Sequence, residues 1–324
     1  MRIALVGYGN VGRAFARLLE TKRSVYPFRI VAIMKKSGTA YDQRGLPLEP
    51  DWGPPIEAAP DAAMEEFLNK ARPEVVIEIT PLEPETGEPA ITYIRGCFLR
   101  YRHVITANKG PLAHAYADLN MEAKRAGVEF RFESTVMDGS PIFNMTRACL
   151  PGVTISGFKG VLNSTTKVVI NAMRDGKSMD EGIAEAQRLG IAETDARDDI
   201  DGWDSAAKVA ALANVILDAR TNPNEVDRTG IGHLTTSEMV ALKADGKTIC
   251  VVCRGRRTPD GLKLSVKPEV LPDTDLLATL RGTSNFLLFE TDLLGEVGVI
   301  SIDPGVEQTA YGIFSDLVDI ARSV

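Results

Sequence analysis

Cysteine is scarce in this sequence. Cys97, Cys149, Cys250 and Cys253 are scattered over 324 residues, which excludes a disulfide framework and fits a reducing cytoplasm. Cys250 and Cys253 have C-x-x-C spacing, but they lie in a stretch that reads as a strand, where residues three apart point to opposite faces. No second pair completes a zinc site. Positive charge is also in deficit, with 37 Lys and Arg against 44 Asp and Glu and a net charge of −7. That argues against nucleic acid as a partner. No apolar run reaches membrane-spanning length, and a strand begins at Arg2, leaving no room for a signal peptide. The expectation is a cytoplasmic protein with no membrane partner. Internal repeats and low-complexity tracts are absent. What is present is ordinary for a soluble globular chain, 44% hydrophobic and 25% charged, and 324 residues favour two domains.

Arg2 to Val6 is a short, mostly apolar strand. It runs into Gly7-Tyr8-Gly9-Asn10-Val11-Gly12, with a helix expected from Arg13 to about Lys22. This is G-x-G-x-x-G in its strand–turn–helix context: one glycine for the turn, one for approach of a pyrophosphate, one for helix–strand packing. Phe28 to Met34 reads as the second strand. Where NAD-preferring folds place an acidic residue for the ribose diol, this chain has Lys35-Lys36-Ser37, which suits a 2′-phosphate and favours NADP, with NAD the alternative. Residues 45–62 read as a Pro-rich surface excursion.

Strand–helix alternation continues. Strands are expected over Glu74–Thr80, His103–Thr106 and Val128–Thr135, and helices over Ala63–Lys70, before Tyr101, and over Pro111–Gly127. Thr80, Thr106 and Lys109 fall at strand carboxyl ends, where such sheets bind ligands. The fold class is therefore α/β, a Rossmann-type doubly wound parallel sheet. After Pro151 the texture changes to a second α+β domain with a mixed sheet. Its strands are expected over Val153–Leu162, Lys247–Arg254, Leu262–Pro268, Asn285–Thr291 and Val297–Ile302, with a short helix over Leu276–Leu280. The domains are expected to be 1–135 with 303–324, and 136–302, the last helix returning to the first domain.

Leu189 to Lys208 concentrates Glu193, Asp195, Asp198, Asp199, Asp201 and Asp204 before one lysine. Asp204 and Lys208 are spaced i,i+4 at the start of an apolar helix and share its face. A lysine on the first turn of a buried helix is costly unless paired.

Over nearly its whole length the chain resembles homoserine dehydrogenase in its short form, without a C-terminal regulatory domain. The resemblance rests on Gly7 to Gly12, Thr106-Ala107-Asn108-Lys109-Gly110-Pro111-Leu112-Ala113, Glu133-Ser134-Thr135-Val136, Leu162-Asn163-Ser164-Thr165-Thr166, Gly190-Ile191-Ala192-Glu193, Asp201-Gly202-Trp203-Asp204 with Lys208, and Gly305 with Thr309-Ala310. It implies reversible reduction of aspartate 4-semialdehyde to homoserine with a nicotinamide cofactor. Lys208 and Lys109 would flank the reacting carbon, Asp204 and Glu193 would hold the substrate ammonium and hydroxyl, and Asp199 and Thr165 would lie nearby. Gly305 would join the cofactor site. Glu133, Val136, Asp138 and Ser140 would match the family's monovalent-cation site for Na+ or K+. For Glu133, a carboxylate satisfied by backbone donors is an equal reading, and for Thr165 so is helix capping, since Asn163-Ser164-Thr165-Thr166 reads as the cap of a helix through Met173. The second domain's sheet would serve a homodimer.

The chain departs from the family pattern at Lys167, where Asn is usual, at Met137-Asp138, Ser164, Ile191 and Pro304. A sister dehydrogenase acting on another small amino or hydroxy acid is one alternative. A cofactor-binding sensor without turnover is another, and retention of both lysines counts against it.

Overall fold

The computed structural model of the protein describes residues 1–280 and 282–323. In chain order the elements begin β1 (Arg2–Val6), α1 (Asn10–Lys22), β2 (Arg29–Lys35), β3 (Gly38–Tyr41), α2 (Pro60–Ala71), β4 (Val75–Glu78), α3 (Ala90–Phe98), β5 (His103–Thr106), α4 (Lys109–Ala126), β6 (Phe130–Arg131) and α5 (Ile142–Asn144). They continue with β7 (Ile155–Val161), α6 (Ser164–Arg174), α7 (Met179–Arg188), α8 (Arg197–Ile200), α9 (Trp203–Ile216), β8 (Asp227–Arg228), α10 (Thr236–Ala244), β9 (Lys247–Thr258), β10 (Gly261–Pro272), β11 (Asn285–Thr291), β12 (Gly295–Ser301) and α11 (Val306–Ser323). The chain forms two compact units, Met1–Asn144 with Gly305–Val324, and Met145–Pro304.

The first unit is built on a six-stranded sheet of order β3-β2-β1-β4-β5-β6. β2, β1, β4, β5 and β6 are parallel. Ile3 to Val6 and Val75 to Ile77 are apolar runs with at most 1% exposure, as strands covered on both faces must be. Helix α11 completes this core with Ile313, Leu317 and Ile320, all fully buried beside Ile3, Leu5 and Phe15. Each such side chain contributes roughly 1.5–3 kcal/mol of burial.

Two parts of this unit differ from the sequence-based expectation. The loop after β2 holds a further strand, β3, antiparallel to β2 with Lys35 opposite Gly38. Gly38 is needed because a Cβ there would meet the Gly53 carbonyl oxygen at 2.6 Å. Residues 128–135, expected as one strand, pair only at Phe130–Arg131, and Glu133–Thr135 form a 3₁₀ turn. The Glu133 N–H donates to Asp316 Oδ2 at 2.8 Å instead of continuing a ladder. The junction between units, expected after residue 135, falls after Asn144. The reason is local: the Glu133 carboxylate accepts from the N–H groups of Phe143 at 2.8 Å and Asn144 at 2.6 Å, which ties that segment to the first unit.

The second unit carries a six-stranded mixed sheet of order β12-β11-β7-β9-β10-β8. β9 and β10 pair antiparallel from Lys247 opposite Pro272 to Thr258 opposite Gly261, and short β8 runs parallel to β10. Residues 276–280, expected as a helix, are turns. Asp275 Oδ1 accepts from Leu277 N–H at 2.8 Å and holds that segment to a single capped turn. Helix α9 is apolar around its circumference and buried from Ser205 to Asn214 apart from Lys208.

Candidate active site

In the first unit, the carboxyl ends of β1, β4 and β5 converge. Gly7 has φ +102°, and a Cβ there would lie 2.5 Å from the Ile79 carbonyl oxygen, so only glycine permits the turn. A Cβ on Gly9 would meet nothing within 4 Å, leaving open space over the loop. The start of α1 has no side-chain cap and no acidic residue in its first turn. An uncapped helix N-terminus beside open space fits a pyrophosphate, whose charge its N–H groups would satisfy. Asn10 is exposed and Val11 half-buried, while Gly12 is buried against Ile79. Tyr8 points into the core, its hydroxyl donating to the Leu48 carbonyl at 2.6 Å, so toward a cofactor it offers backbone only.

The segment read as a surface excursion closes over this end of the sheet. Trp52 lies 5.9 Å from Tyr8, ring to ring, and the Lys35 ammonium sits 3.5 Å from the Trp52 ring centre. Arg13 of α1 pairs with Glu49. Lys35 ends β2, and Lys36 and Ser37 are exposed in the turn that follows.

Glu78, Thr80, Thr106 and Asn108 form one network across β4 and β5. Glu78 is 1% exposed and accepts from Thr80 N–H at 2.8 Å, from the Thr80 hydroxyl, and from Thr106 Oγ1 at 2.7 Å. Burial pushes its carboxyl up from the ordinary range, and these hydrogen bonds pull it back. Asn108 caps α4 by accepting from Gly110 N–H at 3.0 Å, and half-buried Lys109 is the first residue of that helix.

Also in the first unit, the Glu133 carboxyl is pushed up to about 7, first by burial and then by the nearby Asp316 charge. Val136 is buried, Asp138 is in the left-handed region at φ +55°, and Ser140 is half-buried. A Cβ on Gly139 would meet the Gln308 carbonyl oxygen at 2.0 Å, so this turn lies hard against α11. Gly305 is exposed just before α11, its N–H donating to Gln308 Oε1 at 2.9 Å. Among the described residues no group of three or more His, Cys, Asp or Glu side chains is gathered to hold a metal.

In the second unit, Lys208 and Asp204 are 16% and 17% exposed, and Lys208 Nζ lies 2.8 Å from Asp204 Oδ2. The ammonium also donates to the Leu162 carbonyl at the end of β7, at 2.7 Å. Asn163 ties the group together. Its Oδ1 accepts from Thr166 N–H at 2.8 Å, capping α6, which orients its amide nitrogen toward Asp199 Oδ1 at 2.5 Å and Asp204 Oδ2 at 3.1 Å. Asp199 is pushed upward by burial and by the Asp204 charge, against hydrogen bonds from Asn163 and Thr165. Two carboxylates beside one ammonium favour a cationic ligand group. Trp203 packs under the guanidinium of Arg228, 3.7 Å from the ring centre, and anchors the start of α9. Glu193 is exposed and its carboxylate forms no hydrogen bond with this group; its carbonyl accepts from Gln187 Nε2 at 3.1 Å.

Three residues of these networks carry no role in the sequence reading. Asn163 reads there only as part of a helix cap. Glu78 had one visible signal, a charge inside an apolar strand, and Asn108 had its place before a lysine at a strand end.

A dinucleotide-type loop in the first unit and a paired lysine in the second define the class: an NAD(P)-dependent oxidoreductase acting on a CH–OH group. Residues 7–133 match the family model for the homoserine dehydrogenase NAD-binding domain, and residues 141–318 match that for homoserine dehydrogenase. The chain is 37% identical to the homoserine dehydrogenase of Methanocaldococcus jannaschii, over 100% of this chain and 99% of that one. It is 32% identical to the NAD(+)-dependent homoserine dehydrogenase of Pseudomonas canavaninivorans, over 99% of this chain and 96% of that one. A hyperthermophilic archaeal homoserine dehydrogenase solved in complex with NADPH superposes with a TM-score of 0.81 at 27% identity, covering 100% of this chain and 98% of that one. The chain belongs to the homoserine dehydrogenase family. Among the described residues no helix is long and apolar enough to cross a membrane.

Proposed function

We propose that the protein catalyses reversible hydride transfer between L-homoserine and L-aspartate 4-semialdehyde with NADP as the preferred cofactor, NAD being the alternative. The observation that carries this reading is the Lys208–Asp204–Asn163–Asp199 group, which places one ammonium and two carboxylates together in the second unit. When bound, the nicotinamide supplies or accepts the hydride. Lys208 stabilises the negative charge that develops on the substrate oxygen and moves the proton there. Asp204 keeps that lysine charged and oriented. Asp204 and Glu193 hold the substrate ammonium and hydroxyl, with Asp199 and Thr165 nearby. Lys109 is assigned to the reaction on the family resemblance alone.

The phosphate-binding side rests on Gly7 to Gly12, whose geometry suits an anion, with Thr80, Thr106 and Gly305 completing the cofactor site. The relative solved with NADPH supports NADP, while the NAD(+)-dependent relative keeps the choice open to test. For the 2′-phosphate we assign Lys35 and Lys36. A monovalent cation, Na+ or K+, is assigned to Glu133, Val136, Asp138 and Ser140 on the family resemblance, and it would relieve the raised Glu133 carboxyl. The second unit's sheet would serve a homodimer in the cytoplasm. The test is steady-state oxidation of homoserine with each cofactor. NADP-linked turnover that exceeds NAD-linked turnover supports the reading. Oxidation of a different hydroxy acid, or tight NADP binding without turnover, replaces it with the sister enzyme or the sensor.

A further inference from the structure

Glu78 ends β4 opposite Val6 of β1 and Thr106 of β5. Strand order reverses between β1 and β4, so Glu78 lies at the switch point where open α/β sheets take their ligand. The largest influences on its carboxyl are burial and the hydrogen bonds of Thr80, Thr106 and Asn108. Hydrogen-bond directions define what it does. Thr80 N–H can only donate, and it points at Oε1. Asn108 N–H donates to Thr106 Oγ1 at 3.0 Å, which leaves the Thr106 hydroxyl proton for Glu78 Oε2. The Asn108 amide, oriented by Gly110 N–H, donates to Thr80 Oγ1 at 3.4 Å, which leaves the Thr80 proton for Oε1. Two donor chains thus start at Asn108 and end on one carboxylate. A buried acceptor that terminates such chains fixes their geometry, because leaving any of these donors unmade is costly.

We propose that Glu78 is a positioning residue: it sets Asn108, the cap of α4, and thereby the place of Lys109 at that helix start. This rests on the role given to Lys109 under the proposed function. The reach is short, from Glu78 through one threonine to Asn108 and the next residue. A displacement of about 1 Å at a reacting group costs on the order of 100-fold in rate.

The test uses the full chain with Glu78→Gln and, separately, Thr106→Val. Glutamine keeps the volume but turns an NH₂ toward one set of donors. Thr106→Val keeps the carboxylate and removes one chain. In each variant, hydrogen exchange over residues 105–112 is measured without cofactor, alongside kcat and KM for homoserine and Kd for NADPH. The expected result in each variant is faster exchange confined to 105–112 and a kcat fall of about 10- to 100-fold, with KM for homoserine and, in Glu78→Gln, Kd for NADPH within about threefold. Unchanged exchange and kcat in a folded Glu78→Gln variant overturn the proposal. So does loss of protection throughout the chain with kcat and Kd failing together. Should Glu78→Gln not fold, Thr106→Val decides by the same criteria. Should the unsubstituted chain not oxidise homoserine, the proposed function fails, while exchange at 105–112 still decides the role of Glu78.

Discussion

Asn163 donates from one amide nitrogen to both Asp199 and Asp204, at 2.5 and 3.1 Å, while its oxygen caps α6. One side chain therefore sets a helix start and holds two carboxylates at a fixed separation. The two duties respond differently to substitution. Asn163→Ala removes both, and is expected to cost about 1 kcal/mol for the lost cap and to lower kcat/KM for homoserine by at least about tenfold. Asn163→Asp keeps an N-cap acceptor but places a third carboxylate against Asp199 and Asp204. It is expected to keep more of the stability than Asn163→Ala and to lose as much activity or more. Thermal unfolding and steady-state kinetics on both variants check this. Equal activity in Asn163→Asp and the unsubstituted chain contradicts it.

Cofactor preference is expected to reside in the turn after β2. Lys35→Ala combined with Lys36→Ala should raise KM for NADP by roughly tenfold or more and leave KM for NAD within about twofold, because only NADP carries the 2′-phosphate. The ratio of kcat/KM values for the two cofactors is the measurement. An unchanged ratio removes the assignment of both lysines.

Lys167 gives a pH prediction with a definite sign. Burial depresses its ammonium from 10.5 to about 8, with Asp303 opposing, and it donates to the Ser284 carbonyl. A lysine depressed in the folded state binds fewer protons there than when unfolded between these two values. Its stability cost is therefore present in full below about pH 8 and is relieved as pH rises to about 10.5. Lys167→Met should gain stability relative to the unsubstituted chain most at pH 7. That relative gain should shrink by at most about 3 kcal/mol between pH 8 and 10.5. Denaturant unfolding across that range measures it; a difference independent of pH contradicts the buried ammonium.

Much of the fold was legible because its signals are local. The apolar strand at Arg2, the glycine spacing at residues 7–12 and the cap at Asn163 each declare themselves within a few residues. The lysine and aspartate of α9 were legible for the same reason, since a spacing of four residues means one helix face. What stayed hidden depends on distant partners. The strand expected through Thr135 ends early because Glu133 is held by Asp316 and by Phe143 and Asn144. β3 and the Trp52 cover need Gly53 and Lys35, which the sequence does not show to be neighbours. Glu78 is one charge in an apolar strand; Thr80 donates to it from two residues on, but Thr106 comes from the next strand and Asn108 from the cap of the next helix.

The role of Lys208 as the proton donor and charge-stabilising group is decided by Lys208→Ala. The measurement is homoserine oxidation with NADP together with NADPH affinity, in the variant and the unsubstituted chain. kcat is expected to fall by at least about 100-fold while NADPH affinity stays within about threefold. Retained turnover, or loss of turnover and of NADPH binding to the same degree, would contradict it.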